Sequence, residues 1–535
     1  MRKLKCALAL LLCLIVPALA EETIATDLDG TFSTETETES EAVIWDGDPY
    51  DADLIIGYVA QDYAQVNPFY CNETDLVSAN QLVFESLVTL DEDQKPTPQL
   101  ADNWTHEGNT WVFNLRSGIT FHDGAEMTAY DVVASYEAFI ANKDTNPYGS
   151  RLLLFVSDMQ ALSDYQLQVT ANYTGYLTLY AMDFPIVHAS TVSDTLPRGT
   201  GPFWYVSYND TSYLRIEANP LWWKQQSTLA SITFRKYAES SDALEALHTK
   251  DIEMFATRSS SAAYSRKLSQ FASLDYATTT YEFLLPNLSS SSVMSDVNVR
   301  KAVMYAMDRS TIVSNAYLDM AIQSEVPVLP GTWLYESQSA VYYYSPERAL
   351  QLLYDSGWKD LTGDAILNKL DGIKLTDLTV NIITYNDSES SVRGNAAKLI
   401  ADYLTTVGIK TTVEVLTRDK VMSRIDDHDY DLALIAVNLS EIPVLQPLLS
   451  SGGSLNYNHY GNDQMDEYIS TTATAQTEDE LKQVYSDIQM EVVDRLPILG
   501  LLFRTGAVLS TRSTSGMSGA RSMHIFRGIE YLQAE

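Results

Sequence analysis

Seven histidines are the first side chains to test for chemistry, and their spacing argues against it. They stand at His106, His122, His188, His248, His428, His459 and His524, with no H-E-x-x-H pair and no close metal-ligand spacing. His122-Asp123 could serve as an acid–base pair, but Asp123-Gly124 is also the composition of a tight turn. No G-x-S-x-G elbow raises a serine nucleophile. Of the three cysteines, Cys6 and Cys13 fall in the apolar start of the chain, so Cys71 is left without an internal partner, which excludes a site built on cysteine pairs. Acidic pairs abound, yet with 71 Asp and Glu against 35 Lys and Arg they carry no information. The residue types favour binding over catalysis, with no metal or cofactor expected.

The elements that would position a binding site are legible in patterning and charge. At 535 residues the chain is too long for one core and should divide into two or three lobes. A formal net charge of −36 excludes nucleic acid and anionic membranes as partners, because both require cationic patches. Arg2, Lys3 and Lys5 precede the apolar run Ala7–Val16, and Ala18-Leu19-Ala20 supplies small residues for cleavage before Glu21. That is an export signal, too short to span a bilayer. Cys13 lies within the apolar run, so no lipid anchor is expected and the chain is read as periplasmic or extracellular. Residues 21–48, rich in Thr, Ser, Glu and Asp, have little to bury and read as a solvated spacer. Beyond it, Leu54-Ile55-Ile56 and Thr110–Arg116 read as strands. Thr128 with Asp131 reads as a capped helix start. Asp296 and Pro346 open further helices. A strand over Leu375–Tyr385, a helix over Asn395–Val407 ended by Gly408 and a strand over Ile409–Leu416 make a β-α-β order that implies a parallel sheet.

Particular motifs join these elements. Phe84-Glu85-Ser86-Leu87, Pro98-Gln99-Leu100-Ala101 with Trp104, Leu115-Arg116-Ser117-Gly118, Phe121-His122-Asp123-Gly124 and Thr128-Ala129-Tyr130-Asp131-Val132 follow one another within 60 residues. Gly199-Thr200-Gly201-Pro202-Phe203, then Asn219-Pro220 with Trp222, form a second set, and Tyr430-Asp431 opens a later strand. Together they resemble the extracellular solute-binding proteins of ABC importers, family 5, the oligopeptide- and dipeptide-binding type. The resemblance spans nearly the whole chain after the signal. It implies an α/β, periplasmic-binding-protein-like fold of type II in its large cluster C form, with two hinged lobes and an extra subdomain. One lobe would comprise 49–80, 197–285 and 500–535, the subdomain 81–196, and the second lobe 286–499. His122-Asp123-Gly124 would then be a turn between strand and helix.

The resemblance further implies a monomer that closes on a small-molecule or short-peptide ligand and delivers it to an ABC permease without catalysis. Relatives hold a peptide as an added strand. Asp62 and Tyr63, in the loop after the first strand, would line the cleft mouth. The run after Asp431 would place Val437 and Asn438 against the ligand. Ser440 stands where relatives carry the Asp that pairs with the peptide amine, and Glu441 follows it as a substitute. Arg393, before the Asn395 helix, would take a carboxylate. Other members of the fold bind sugars or metal complexes, and a sensor for a membrane receptor or a secreted hydrolase are the readings from other classes.

Overall fold

Two strands of unusual length carry the architecture. The computed structural model describes residues 52–61, 63–386 and 391–533. Within them, Ala272–Pro286 and Leu499–Ser510 run antiparallel, side by side, through the middle of an eleven-stranded sheet. Beyond Ala272–Pro286 follow Leu432–Asn438, Thr379–Tyr385 and Lys410–Leu416, these three parallel to one another. Beyond Leu499–Ser510 follow Met254–Thr257, Leu54–Val59 and Ser231–Tyr237, again parallel. Tyr213–Ala218 and Phe203–Asn209 complete that side antiparallel. The described residues cluster as one compact unit.

Parallel neighbours need crossovers, and the chain supplies helices for them. Ser240–Thr249 precedes Met254–Thr257, Val392–Thr406 joins Thr379–Tyr385 to Lys410–Leu416, and Arg418–Asp426 leads to Leu432–Asn438. The first of these ends at Lys250, which takes the left-handed conformation (φ +65°) that commonly falls to Gly at a helix end. The long helix Glu478–Arg495 starts at a reciprocal cap between Thr477 and Glu480 and buries Leu481, Val484, Tyr485, Ile488 and Val492 at helical spacing. Each such side chain contributes about 1.5–3 kcal/mol through burial.

At the centre the two long strands fall out of register. Ala277 lies opposite Thr505, whereas Tyr281 lies opposite Phe503. Four steps on one strand thus match two on the other, and the surplus residues form a bulge that bends the strand and re-aims its side chains.

A separate antiparallel sheet, Ala101–Glu107, Thr110–Leu115, Gln166–Ala171 and Val156–Ser163, lies within residues 81–196. Thr110–Leu115 buries Trp111, Phe113 and Leu115 on one face, the expected alternation. The two motif sets meet here. Glu85 is buried and accepts from Thr200 Oγ1 (3.0 Å), Trp223 Nε1 (2.7 Å), Gln99 Nε2 (3.2 Å) and Lys224 Nζ (3.0 Å). Gly199 can be nothing larger, since a Cβ there would lie 2.1 Å from the Val83 carbonyl oxygen. His122 Nδ1 accepts from the Gly199 N–H at 3.2 Å, and burial pulls its imidazole down to about 4, so it stays neutral as a structural acceptor.

Some local expectations shift. The Asn395 helix begins three residues earlier, at Val392, so Arg393 sits in its first turn. Leu375–Tyr385 divides into Lys374–Asp377, paired with Asn368–Asp371 in a hairpin, and Thr379–Tyr385. Asp308 caps the helix Arg309–Asn315, its carboxylate accepting from the Thr311 N–H at 3.1 Å. Cys71 is buried, and burial pushes its thiol up to about 12. The expected signal at 1–20 and spacer at 21–48 lie outside the described residues, among which no helix is long and apolar enough to cross a membrane.

Candidate functional site

In open α/β sheets ligands settle at the carboxyl ends of parallel strands, where loops converge and helices begin. Here two such groups of ends meet. Met254–Thr257, parallel to its neighbour Leu54–Val59, delivers Arg258, Ser259 and Ser260. Thr379–Tyr385, Lys410–Leu416 and Leu432–Asn438 deliver Tyr385, Arg418 and Ala436–Asn438. Between them lies a cleft of about 530 Å³, floored by Thr278, Thr280, Glu282, Arg504 and Thr505 of the two long strands, at and beside the register break. Leu455 and Tyr457 add an apolar and aromatic edge.

Glu282 organises the floor. It is 0% exposed, and its carboxylate accepts from Arg504 Nε (2.6 Å), from Nε and Nη2 of Arg393 (both 3.2 Å) and from the Tyr317 hydroxyl (2.6 Å). Burial opposes its charge, but Arg504 and Arg393 outweigh that and hold the carboxyl below the usual range. Arg393, 2% exposed, also donates to the Tyr385 carbonyl at 3.1 Å, with its guanidinium 4.4 Å from the Tyr385 ring centroid.

A second, smaller cavity of about 80 Å³ adjoins the same strands and shares Thr278. Ser440, Glu441, Tyr180, Trp333 and Arg521 line it. Trp333 Nε1 donates to the Tyr180 hydroxyl at 2.7 Å, joining residues 81–196 to the later part of the chain. Lys95–Glu478 (2.5 Å) and Tyr176–Glu478 (2.8 Å) add to that bridge. The Arg521 guanidinium is held by Asp183 at 2.9 Å. Burial raises the Glu441 carboxyl above the ordinary range, against the pull of Arg521 and Arg151, and the carboxylate makes no hydrogen bond among the described residues.

The residues singled out from sequence therefore separate. Arg393, Val437 and Asn438 come together in the larger cleft, and Ser440 with Glu441 in the smaller cavity. Tyr63 is 78% exposed and lines a surface hollow with Asn67, Tyr70 and Asp210, apart from both. Asp62 lies outside the described residues. Sequence reasoning missed Glu282, Arg258, Arg418 and Arg504, none of which sits in a motif. The β-α-β reading did mark the strand ends at which Arg418 is placed.

Residues 95–458 match the profile of the bacterial extracellular solute-binding proteins, family 5 Middle. The chain is similar to the oligopeptide-binding protein AppA of Bacillus subtilis, 22% identical over 475 residues, covering 84% of this chain and 86% of the relative. Heme-binding protein A of Haemophilus influenzae is 22% identical over 501 residues, covering 85% and 88%. Among solved structures, a nickel ABC transporter protein from Bacillus halodurans superposes with a TM-score of 0.75 at 21% identity, over 88% of this chain and 98% of that one. At that identity the likeness is one of fold.

Proposed function

The chain belongs to the bacterial extracellular solute-binding proteins of family 5, and from that premise we propose that it captures a peptide-like solute in its cleft and passes it, chemically unaltered, to an ABC permease. The observation that carries this reading is the meeting of two groups of parallel-strand ends over a floor whose strands break register at Ala277–Tyr281. Residues 49–80, 197–285 and 500–535 form one lobe in this reading, with 81–196 beside it and 286–499 opposite. The bulge is the hinge, where two strands with surplus length flex at small cost.

An extended solute lies along Val437 and Asn438, its acidic end toward the arginines of the larger cleft. Its amine reaches Glu441, which offers a carboxylate where Ser440 replaces the Asp of the family. A desolvated carboxylate without a hydrogen-bond donor is costly alone and strongly favourable once an ammonium arrives. The protein works as an exported monomer, cleaved after Ala20 and not lipidated. Solutes that relatives carry under their own names, peptide, heme and nickel, define the range to screen.

Native mass spectrometry of the purified protein tests the proposal, because a closed cleft retains its guest. A retained small molecule, intact after incubation and raising the melting temperature on re-addition, is the expected result. Stabilisation is about 2.7 kcal/mol at a hundredfold excess over Kd. A flat response to peptides, heme and metal complexes, or a guest recovered cleaved, refutes it.

A further inference from the structure

The charges facing the larger cleft do not match a neutral zwitterion. Among the described residues four guanidinium groups line it, Arg258, Arg393, Arg418 and Arg504, with one carboxylate, Glu282. Glu282 is already saturated by Arg393, Arg504 and Tyr317. It positions two of the cations and has no capacity for the others.

Those others are poorly compensated. Arg418, the first residue of helix Arg418–Asp426, is exposed, and its side chain makes no ion pair or hydrogen bond among the described residues. Among the described residues Arg258 pairs with Asp75 alone, loosely, at 3.6 Å, and Asp75 Oδ1 has no close hydrogen bond. A further polar group waits on the floor: Thr505 is 6% exposed, and its hydroxyl is buried without a partner among the described residues. Closing a cleft over one unpaired and one loosely paired cation and a buried hydroxyl is unfavourable unless the guest supplies acceptors.

We infer that the solute carries at least two acidic groups, carboxylate or phosphoryl, one received by Arg418 and the other by Arg258, with the Thr505 hydroxyl donating to one of them. The inference rests on the cleft being the solute site. Arg393 and Arg504, fixed by Glu282, act as positioning residues that keep the floor cationic. Against the acidic remainder of the surface, the cationic cleft also focuses the field and steers small anions inward.

The test is a matched set of probes titrated into the full-length exported protein, freed of retained solute by unfolding and refolding: trialanine, Glu-Ala-Glu, and phosphoserine flanked by alanines. The acidic probes should bind at least about tenfold tighter than trialanine, with a preference that shrinks as salt rises. Arg418→Ala and Arg258→Ala should each remove about tenfold of that preference, weakening the acidic probes by more than they weaken trialanine, while Arg418→Lys retains part of it. Comparison of the two acidic probes separates a carboxylate solute from a phosphorylated one. Equal affinity for trialanine and the acidic probes, or a preference indifferent to Arg418→Ala, overturns the inference and leaves the solute-binding reading standing. No binding by any probe overturns both. Arg418 is exposed, so circular dichroism of its variants should show an unaltered fold.

Discussion

Glu282 and Glu441 are carboxylates in adjoining cavities, and the protein treats them in opposite ways. Glu282, in the larger cleft, is surrounded by two guanidinium groups and a hydroxyl, and its carboxyl is held below the usual range. Glu441, in the smaller cavity, has no donor in place among the described residues, and burial raises its carboxyl. One is a finished ion cluster that builds the floor. The other is an unfinished one, and a missing partner is what distinguishes a receptor group from a structural group.

The largest effect should come from unbalancing the finished cluster. Glu282→Ala removes the buried carboxylate that Arg393 and Arg504 share and should cost about 3–5 kcal/mol of stability, read by urea unfolding. A loss below about 1 kcal/mol would show that the cluster is not structural. Next comes Glu441→Gln, which should weaken a free-amine peptide by about 2 kcal/mol or more, roughly thirtyfold, in calorimetric titration. An unchanged affinity would remove Glu441 from the amine site.

The pH dependence sharpens the contrast, because the two signs differ. A depressed carboxyl stabilises the fold above its unfolded pKa, about 4.3, and that stability is lost as pH falls through the folded value. Glu282→Gln should therefore flatten the acid limb below about pH 4.3. A raised carboxyl does the reverse, since stability declines as pH climbs from about 4.3 through the folded value. Glu441→Gln should remove that decline and leave the solute-free protein more stable at neutral pH. Smaller still is Ser440→Asp, worth about 1 kcal/mol in favour of free-amine peptides by restoring the family's acid. Deletion of residues 21–48 should alter stability by less than about 0.5 kcal/mol.

Much of the scaffold was legible because its causes are local. The caps at Thr128 and Asp296, the helix start at Pro346, the alternation of Thr110–Leu115 and the turn glycines each depend on neighbours within four residues. The site was less legible because its partners are distant in sequence. Arg393 stands out as a lone cation at a helix start until Glu282, 111 residues away, closes on it. Arg504 joins the same carboxylate across 222 residues. Tyr63 sits in the expected loop, but loop position does not set side-chain direction, and the ring faces solvent. The motif residues Glu85 and His122 proved to be mortar between segments, which is why they form recognisable patterns while the cleft-lining arginines do not.

Cys71 has a practical consequence. Its sulfur is enclosed and its thiolate is suppressed at neutral pH. Maleimide dyes should pass it by, so thiols introduced on the hairpin Asn368–Asp377 and within residues 197–285 can be tagged without first deleting a native one. Energy transfer between such tags would test the proposed hinge, since lobes that part and meet would change the spacing molecule by molecule.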